Sequence, residues 1–347
     1  MCELPLKQTT AVLLVLLICL SRVTAAKEPP PRTSLSQGKG DWTISKSAYA
    51  VLKRPSVEMT IVTNQAVDDE QLPDHRAGYS GIAQLRHTQR QANLFVPSYA
   101  GINYEHIHDG TTQSRDVLFE PRRAPMELRL INEHCVDLYQ PPTPHFKLES
   151  CLRYELLPDG VIQMTLECIA RKDTFSNGYI GLFWASYIHQ PERLEIYFPG
   201  WSNVGDQVQE IKLPPPVMIR GVTAGHGLKA THRSLQDHRK LPHDKNFPLS
   251  LVFGHSDHRY SAPWYYGVSN GMGFAQIFRR CDNIRITQSP SGGGPGNPAW
   301  DFQFIVENYQ VDQRYQMMMR AVYQPIKPQA KFFETVRSHF QALQTLK

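Results

Sequence analysis

Apolar residues along this chain fall into short runs of strand-like length, separated by turn-forming residues, and only the end carries a helical period. Val57 to Thr63, Gly81 to His87, Ala92 to Val96 and the stretch Asn103 to Gly110 read as strands. Pro125 to Ile131 and His134 to Tyr139 read as a hairpin with Leu128, Leu130, Val136 and Leu138 on one face and Arg129, Cys135 and Asp137 on the other. Leu148 to Leu157 and Val161 to Ala170 flank Pro158-Asp159-Gly160, a strong turn signal. A two-residue turn there sets Cys151 opposite Cys168. A turn with Gly160 as a bulge shifts the register by one. The shifted register aligns Leu148, Leu152, Tyr154 and Leu156 with Ile162, Met164, Leu166, Cys168 and Ala170. It leaves Glu149, Arg153, Glu155, Gln163, Thr165 and Glu167 on the other face. Because a slip of one residue mixes the faces, the clean separation selects it. Cys168 is then expected in the core and Cys151 on the polar face, unbridged.

Tyr179 to His189 is long and largely apolar, as a central strand covered on both faces would be. Leu194 to Phe198 follows. Pro214-Pro215-Pro216 marks a break, and Gly221 to Asn246 is a polar, histidine-rich loop of a length that is mobile or functional in compact proteins. Strand patterns resume at Leu249 to Phe253, Trp264 to Val268, Gly273 to Phe278, Ile284 to Gln288, Trp300 to Val306 and Tyr315 to Tyr323. After Pro328, Phe332, Val336, Phe340 and Leu343 recur at helical spacing. There is no strand–helix alternation, so the expected fold is mainly β: a large antiparallel β-sandwich with a short C-terminal helix. The expected organisation is a signal peptide over 1–26, a disordered lead-in over 27–40, one large β domain over 41–326 and the helix over 327–347.

Composition narrows the class. With 347 residues, 41% hydrophobic and 20% charged, the chain has globular proportions. The net charge of +5 is modest and the basic residues are scattered, so no nucleic-acid-binding arm is indicated. Ala11 to Leu20 is too short to span a bilayer and is followed by small residues at Val23 to Ala26, as in an export signal. No later stretch suits a membrane helix, so the mature protein is expected to be periplasmic or extracellular. Cys135, Cys151, Cys168 and Cys281 match no zinc spacing.

Candidate chemistry concentrates in Asn103 to Gly110. As a regular strand this stretch sends Tyr104, His106 and His108 to one face and Glu105 and Ile107 to the other. Histidines titrate near neutral pH and suit acid–base work. His189 ends the aromatic strand. Trp300 and Asp301 follow the loop Ser291 to Pro298, whose glycines form a ligand lip. Aromatic faces stack on sugars, which brings in Trp184, Trp264 and Tyr265. Glu105, Asp109, Glu192 and Asp301 are the carboxylates available for a glycosidase pair. No phosphate loop, nucleophile elbow or metal-binding pattern is present, and no cofactor or metal is expected.

Tyr99 to Gly110, Gly178 to Glu192 and Asn297 to Phe304 together resemble stretches of a group of exported bacterial proteins. More distantly, the layout is similar to the galactose-mutarotase-like β-supersandwich. That resemblance implies chemistry by His, Glu, Asp or Tyr on a concave sheet, in an epimerase, a lyase or a glycoside hydrolase. The reading is an exported carbohydrate-active enzyme. His106 and His108 are its first candidates for proton transfer, His189 and Asp301 share their pocket, and Tyr104, Trp184, Trp264, Tyr265 and Trp300 hold the sugar. A non-catalytic glycan-binding or structural module and a metal-dependent hydrolase are the alternatives.

Overall fold

The computed structural model describes residues 32–37, 42–204, 213–223 and 225–346; the expected signal peptide lies outside them. Among these residues the strands are β1 (Thr43–Ile44), β2 (Tyr49–Lys53), β3 (Val57–Val62), β4 (Gly81–His87), β5 (Asn103–His108), β6 (Glu127–Asn132), β7 (Cys135–Gln140), β8 (Leu148–Leu156), β9 (Ile162–Ala170) and β10 (Tyr179–Ala185). They continue as β11 (Ile196–Trp201), β12 (Val217–Gly221), β13 (Thr231–Ser234), β14 (His255–Tyr260), β15 (Trp264–Ser269), β16 (Met272–Phe278), β17 (Arg285–Ser289), β18 (Ala299–Glu307) and β19 (Arg314–Pro325). The helices are α1 (Arg115–Leu118), α2 (Glu120–Arg123), α3 (Ser250–Phe253) and α4 (Gln329–Thr345).

One large sheet runs β1-β6-β7-β8-β9-β19-β16-β15-β11-β14-β13-β17-β18-β10-β5, with β12 beside β11, and β2-β3-β4 form a second sheet. Among the described residues, pairing between these strands is antiparallel except between β13 and β14. The two halves of the large sheet share a single core. Tyr154 and Met164 from one half, and Trp184 and Phe302 from the other, belong to one apolar cluster with Met59 and Leu85 of the small sheet. Across it the Phe278 and Phe302 rings lie 4.8 Å apart. The molecule is a large, mainly antiparallel β-sandwich closed by a C-terminal helix.

The β8–β9 register is the bulged one: Leu152 pairs with Leu166, Ser150 with Cys168 and Cys151 with Glu167. Gly160 supplies the positive φ of +84° that the turn needs. Cys168 packs in the core, and Cys135, Cys151, Cys168 and Cys281 are free thiols. The hairpin's polar face is covered, however. Residues 32–37, expected to be disordered, dock on it: Thr33 Oγ1 donates to Glu167 Oε2 at 2.6 Å and Ser34 N to Asp137 Oδ2 at 2.7 Å. Buried carboxylates require donors, and this stretch supplies them.

Other expectations shift locally. Leu249 to Phe253 is helical (α3) rather than a strand, and Ala92 to Val96 contributes one isolated bridge, Phe95 to Ile188. β13 and β14 arise inside or next to the polar histidine-rich region, where Thr231, His232, Arg259 and Ser256 are buried polar residues. No apolar alternation marks such strands. α4 forms where expected, burying Phe332, Val336 and Leu343 with Trp264, Tyr266 and Ile277.

Candidate active site

A cleft of about 370 Å³ opens on the outer face of β5, β10 and β18. Phe183, Ala185 and Tyr187 form its floor from alternate positions of β10 and its continuation, while Ile180, Leu182 and Trp184 face the core. Glu105 and His106 enter from β5 on one flank and Asp301 from β18 on the other. α1 and the residue after it bring Leu118 and Phe119, the glycine loop brings Ser291 and Gly292, and Pro248, Leu249 and Leu251 close the far wall. α1 is capped by Ser114, whose hydroxyl accepts from Val117 N at 3.4 Å.

Glu105 and His106 are sequence neighbours that face the same way. The cause is a bulge: Phe183 pairs with His106 and Trp184 with Tyr104, leaving Glu105 as the extra residue. The bulge resets the alternation, so Tyr104 and Ile107 join the core while Glu105, His106 and His108 point outward. The expectation that Glu105 points away from the histidines is therefore corrected, and so is the grouping of Tyr104 with them.

One Glu105 oxygen is fixed. Tyr187 OH donates to Oε1 at 2.7 Å, and Arg122 Nη2 is hydrogen-bonded to the same oxygen and donates to Tyr187 OH at 2.8 Å. Burial raises the Tyr187 phenol well above its ordinary range, with the Glu105 charge adding to it, so the phenol stays a donor. Arg122 comes from α2 and lies over the rings of Tyr79 at 4.3 Å and Phe119 at 4.7 Å. The other oxygen, Oε2, is 3.8 Å from His106 Nε2.

His106 Nδ1 is 3.3 Å from the carbonyl of Leu118. A carbonyl only accepts, so Nδ1 carries the proton and Nε2 is left as an acceptor. Burial among Phe119 and Phe183 pushes this imidazole down to about 4, with Glu105 opposing and Arg122 adding to the effect. It is neutral at physiological pH. Asp301 Oδ1 accepts from Ser186 N at 2.9 Å. Burial raises the Asp301 carboxyl well above the usual carboxylate range, overcoming that hydrogen bond, and Glu105 raises it further. The cleft thus holds a carboxylate anchored by an arginine, a neutral histidine and a carboxyl group biased toward its protonated form.

The remaining candidates lie elsewhere. His108 is fully buried beneath Phe247, whose ring is 5.3 Å away, and it does not line the cleft. His189 is also absent from the lining; the chain turns away from the sheet at Gln190, which has a φ of +36°. Trp300 follows the glycine lip as expected, but strand alternation lets only one of Trp300 and Asp301 face outward. Asp301 does, and Trp300 is a core residue whose Nε1 donates to Leu194 O at 3.1 Å. Trp184 stacks between Tyr104 at 5.1 Å and Phe302 at 5.0 Å. Tyr265 is in the same core, and Trp264 packs beneath α4. The five candidate aromatics Tyr104, Trp184, Trp264, Tyr265 and Trp300 thus hold the fold together and do not line the cleft.

Sequence reasoning passed over Arg122, Tyr187, Phe183 and Ser289. His226 lines the cleft 2.6 Å from Ser289 Oγ, a pairing that only the fold creates. Among the described residues no group of three or more His, Cys, Asp or Glu is arranged to hold a metal ion.

No protein-family model matches the chain. No curated protein matches it in sequence. Several solved structures resemble it at low sequence identity. A galactose mutarotase-like protein from Lactobacillus casei is 7% identical, with 80% of this chain and 100% of that one covered and a TM-score of 0.42. Galactose 1-epimerase from Lactobacillus acidophilus is 9% identical, covering 82% and 98%, with a TM-score of 0.43. An alpha-N-acetylgalactosaminidase from Bifidobacterium bifidum is 10% identical, covering 84% of this chain and 39% of that one, with a TM-score of 0.45.

Proposed function

We propose that the cleft is the active site of a carbohydrate-active enzyme working by acid–base chemistry. Asp301 donates a proton, Glu105 Oε2 accepts one, and neutral His106 orients a hydroxyl through Nε2. The observation that carries this reading is a pair of carboxyl groups that face one cleft in different surroundings. Asp301 is held toward its protonated form by burial, while Glu105 is ion-paired with Arg122. A carboxyl group kept protonated by burial, facing a second one held by an arginine, suits a paired acid and base. Their strands flank β10, so their backbones are about 10 Å apart, two strand spacings, which leaves room for a sugar ring between the side chains.

The floor of Phe183 and Tyr187 suits the apolar C–H face of a sugar. The same floor supports the second reading, a glycan-binding module without turnover. One experiment separates them. The purified protein is incubated with a panel of mono- and polysaccharides and assayed for anomer exchange by NMR, for new reducing ends and for unsaturated products. Turnover that Glu105→Gln and Asp301→Asn each abolish supports the enzyme. Binding with no product from any sugar supports the module and removes the catalytic reading. The proposal includes export, supported by the apolar run Ala11 to Leu20 and the small residues after it; N-terminal sequencing of secreted protein beginning near Lys27 tests that part.

A further inference from the structure

The face that carries the cleft continues under a strap of chain, and there it holds polar groups that the proposed chemistry does not use. Arg285 of β17 is fully buried. Its Nε donates to Asp237 Oδ2 at 2.8 Å, yet neither Nη1 nor Nη2 has a hydrogen-bond partner among the described residues. Gln303 sits directly across the ladder from Arg285. Its Nε2 donates to Thr287 Oγ1 at 2.8 Å and its Oε1 is unpartnered. Both ring nitrogens of His108 are unpartnered too, although the residue is completely buried. The His108 ring leans over Gly181 of β10, where a Cβ would lie 2.3 Å from Cε1.

Buried donors and acceptors are nearly always satisfied, so five orphaned atoms on one face of three strands need an explanation. The cover over them is the run from Asp237 to Phe253. Arg239 Nη2 donates to Asn283 O at 2.6 Å, Tyr179 OH donates to Pro242 O at 3.2 Å, and the Phe247 and Phe253 rings lie 5.3 and 6.3 Å from His108. The same run supplies Pro248, Leu249 and Leu251 to the wall of the open cleft. It is therefore a partition with the cleft on one side and the orphaned groups on the other.

We propose that Arg285, His108 and Gln303 form a closed subsite for a carboxylate, joined to the cleft when the strap lifts, and that the sugar processed there is a uronate. This rests on the acid–base reading of the cleft. Two terminal guanidinium nitrogens left free by a partner on Nε match the two oxygens of a planar carboxylate. The neutral His108 ring can donate one hydrogen bond, and Gln303 Oε1 can accept from a neighbouring hydroxyl.

The test compares oligosaccharides of galacturonate, glucuronate and mannuronate, their methyl esters, and a sulfated neutral oligosaccharide, with Kd measured by calorimetry. At least one uronate is expected to bind 10-fold or more tightly than its ester and than the sulfated sugar. In Arg285→Gln, with melting checked, that preference is expected to fall to within 2-fold. Should Arg285→Gln not fold, His108→Phe, which sets a ring of similar size among Tyr179, Phe247 and Phe253, is expected to weaken the uronate and spare the ester. Equal binding of acid and ester, a preference for the sulfated sugar, or a preference surviving in the variants overturns the subsite. Turnover of neutral sugars without any acidic preference overturns this inference alone. A protein that binds no sugar of any kind overturns both it and the reading of the cleft.

Discussion

Glu105 Oε2 and His106 Nε2 lie 3.8 Å apart on the same side of the sheet, although adjacent residues of a regular strand point to opposite sides. The bulge opposite Phe183 creates that proximity and delivers both groups to the cleft. Glu105→Gln keeps the shape and the hydrogen bond from Tyr187 but removes the charge that faces Arg122. It is expected to lower kcat on a processed sugar by about 10²-fold or more, the usual scale for losing a proton-transfer group. Unchanged kcat in a variant that melts normally would remove Glu105 from the chemistry.

Asp301 gives an opposite pair of outcomes. Its folded carboxyl titrates above its unfolded value, so folding binds a proton there. Between the unfolded value near 4 and the raised folded value, the unfolded chain holds fewer protons, and stability falls as pH rises. Asp301→Asn removes this penalty while its Oδ1 still accepts from Ser186 N. The variant is expected to melt higher than wild type at pH 7, the gap closing toward pH 4, while turnover drops by about 10²–10⁴-fold. In the wild type, kcat/KM is expected to decline on the alkaline side as Asp301 loses its proton. Calorimetric melts across pH and a pH–rate profile check the two halves.

His108 has the reverse linkage. Burial, with His106 and Arg285 adding to it, lowers its imidazole to about 3 from an ordinary 6.5. Below pH 6.5 the unfolded chain takes up a proton that the folded chain refuses, so stability is full above 6.5 and falls by about 1.4 kcal/mol per pH unit down to about 3. His108→Phe is expected to leave stability at pH 7 equal or higher and to flatten this slope. Urea unfolding at pH 7, 5.5 and 4.5 reads the difference. An identical slope in the variant would place the acid sensitivity elsewhere.

Much of the scaffold was legible in the sequence. The β8–β9 register followed from sorting two sets of side chains, because only one alignment kept Leu152 with Leu166 and Arg153 with Thr165. The C-terminal helix followed from the spacing of Phe332, Val336 and Leu343. The lining of the candidate cleft was half legible. His106 and Asp301 stood out as chemistry beside strand patterns, but periodicity assumes regular strands, and the bulge at Glu105 has no apolar signature. Trp184, Tyr265 and Trp300 mislead for a related reason: a large aromatic residue serves a core or a sugar equally well, and only the face of the strand decides. Arg122 and Tyr187 are joined to Glu105 by packing between distant segments, which no local pattern records.

Gly181 ties the backbone to His108. An added methyl there meets Cε1 at 2.3 Å and Nε2 at 2.5 Å, and the ring is itself backed by Phe247 and Phe253. Gly181→Ala is expected to cost about 1–3 kcal/mol, the range for overpacking a filled core. In a His108→Ala background the obstacle is gone and the cost is expected to drop below 1 kcal/mol. A double-mutant cycle measures that coupling directly. Additive effects would mean that the strain is relieved through the backbone rather than through the ring.

The N-terminal segment offers a chemical readout of its docking. Cys151 is fully buried on the polar face of the β8–β9 hairpin, with Ser34 Oγ 3.5 Å from its sulfur, and burial pushes its thiol up to about 12. Thr33 and Ser34 also answer the carboxylates of Glu167 and Asp137, and Ser36 Oγ donates to Glu167 Oε1 at 2.8 Å. Removing residues through Gln37 uncovers the thiol and leaves those carboxylates fewer donors. The truncated protein is expected to melt lower and to react with a maleimide at Cys151, while Cys168 in the core stays protected. Peptide mapping of the labelled sites decides it: Cys151 as protected in the truncated protein as in the full chain would mean that this segment is not its cover.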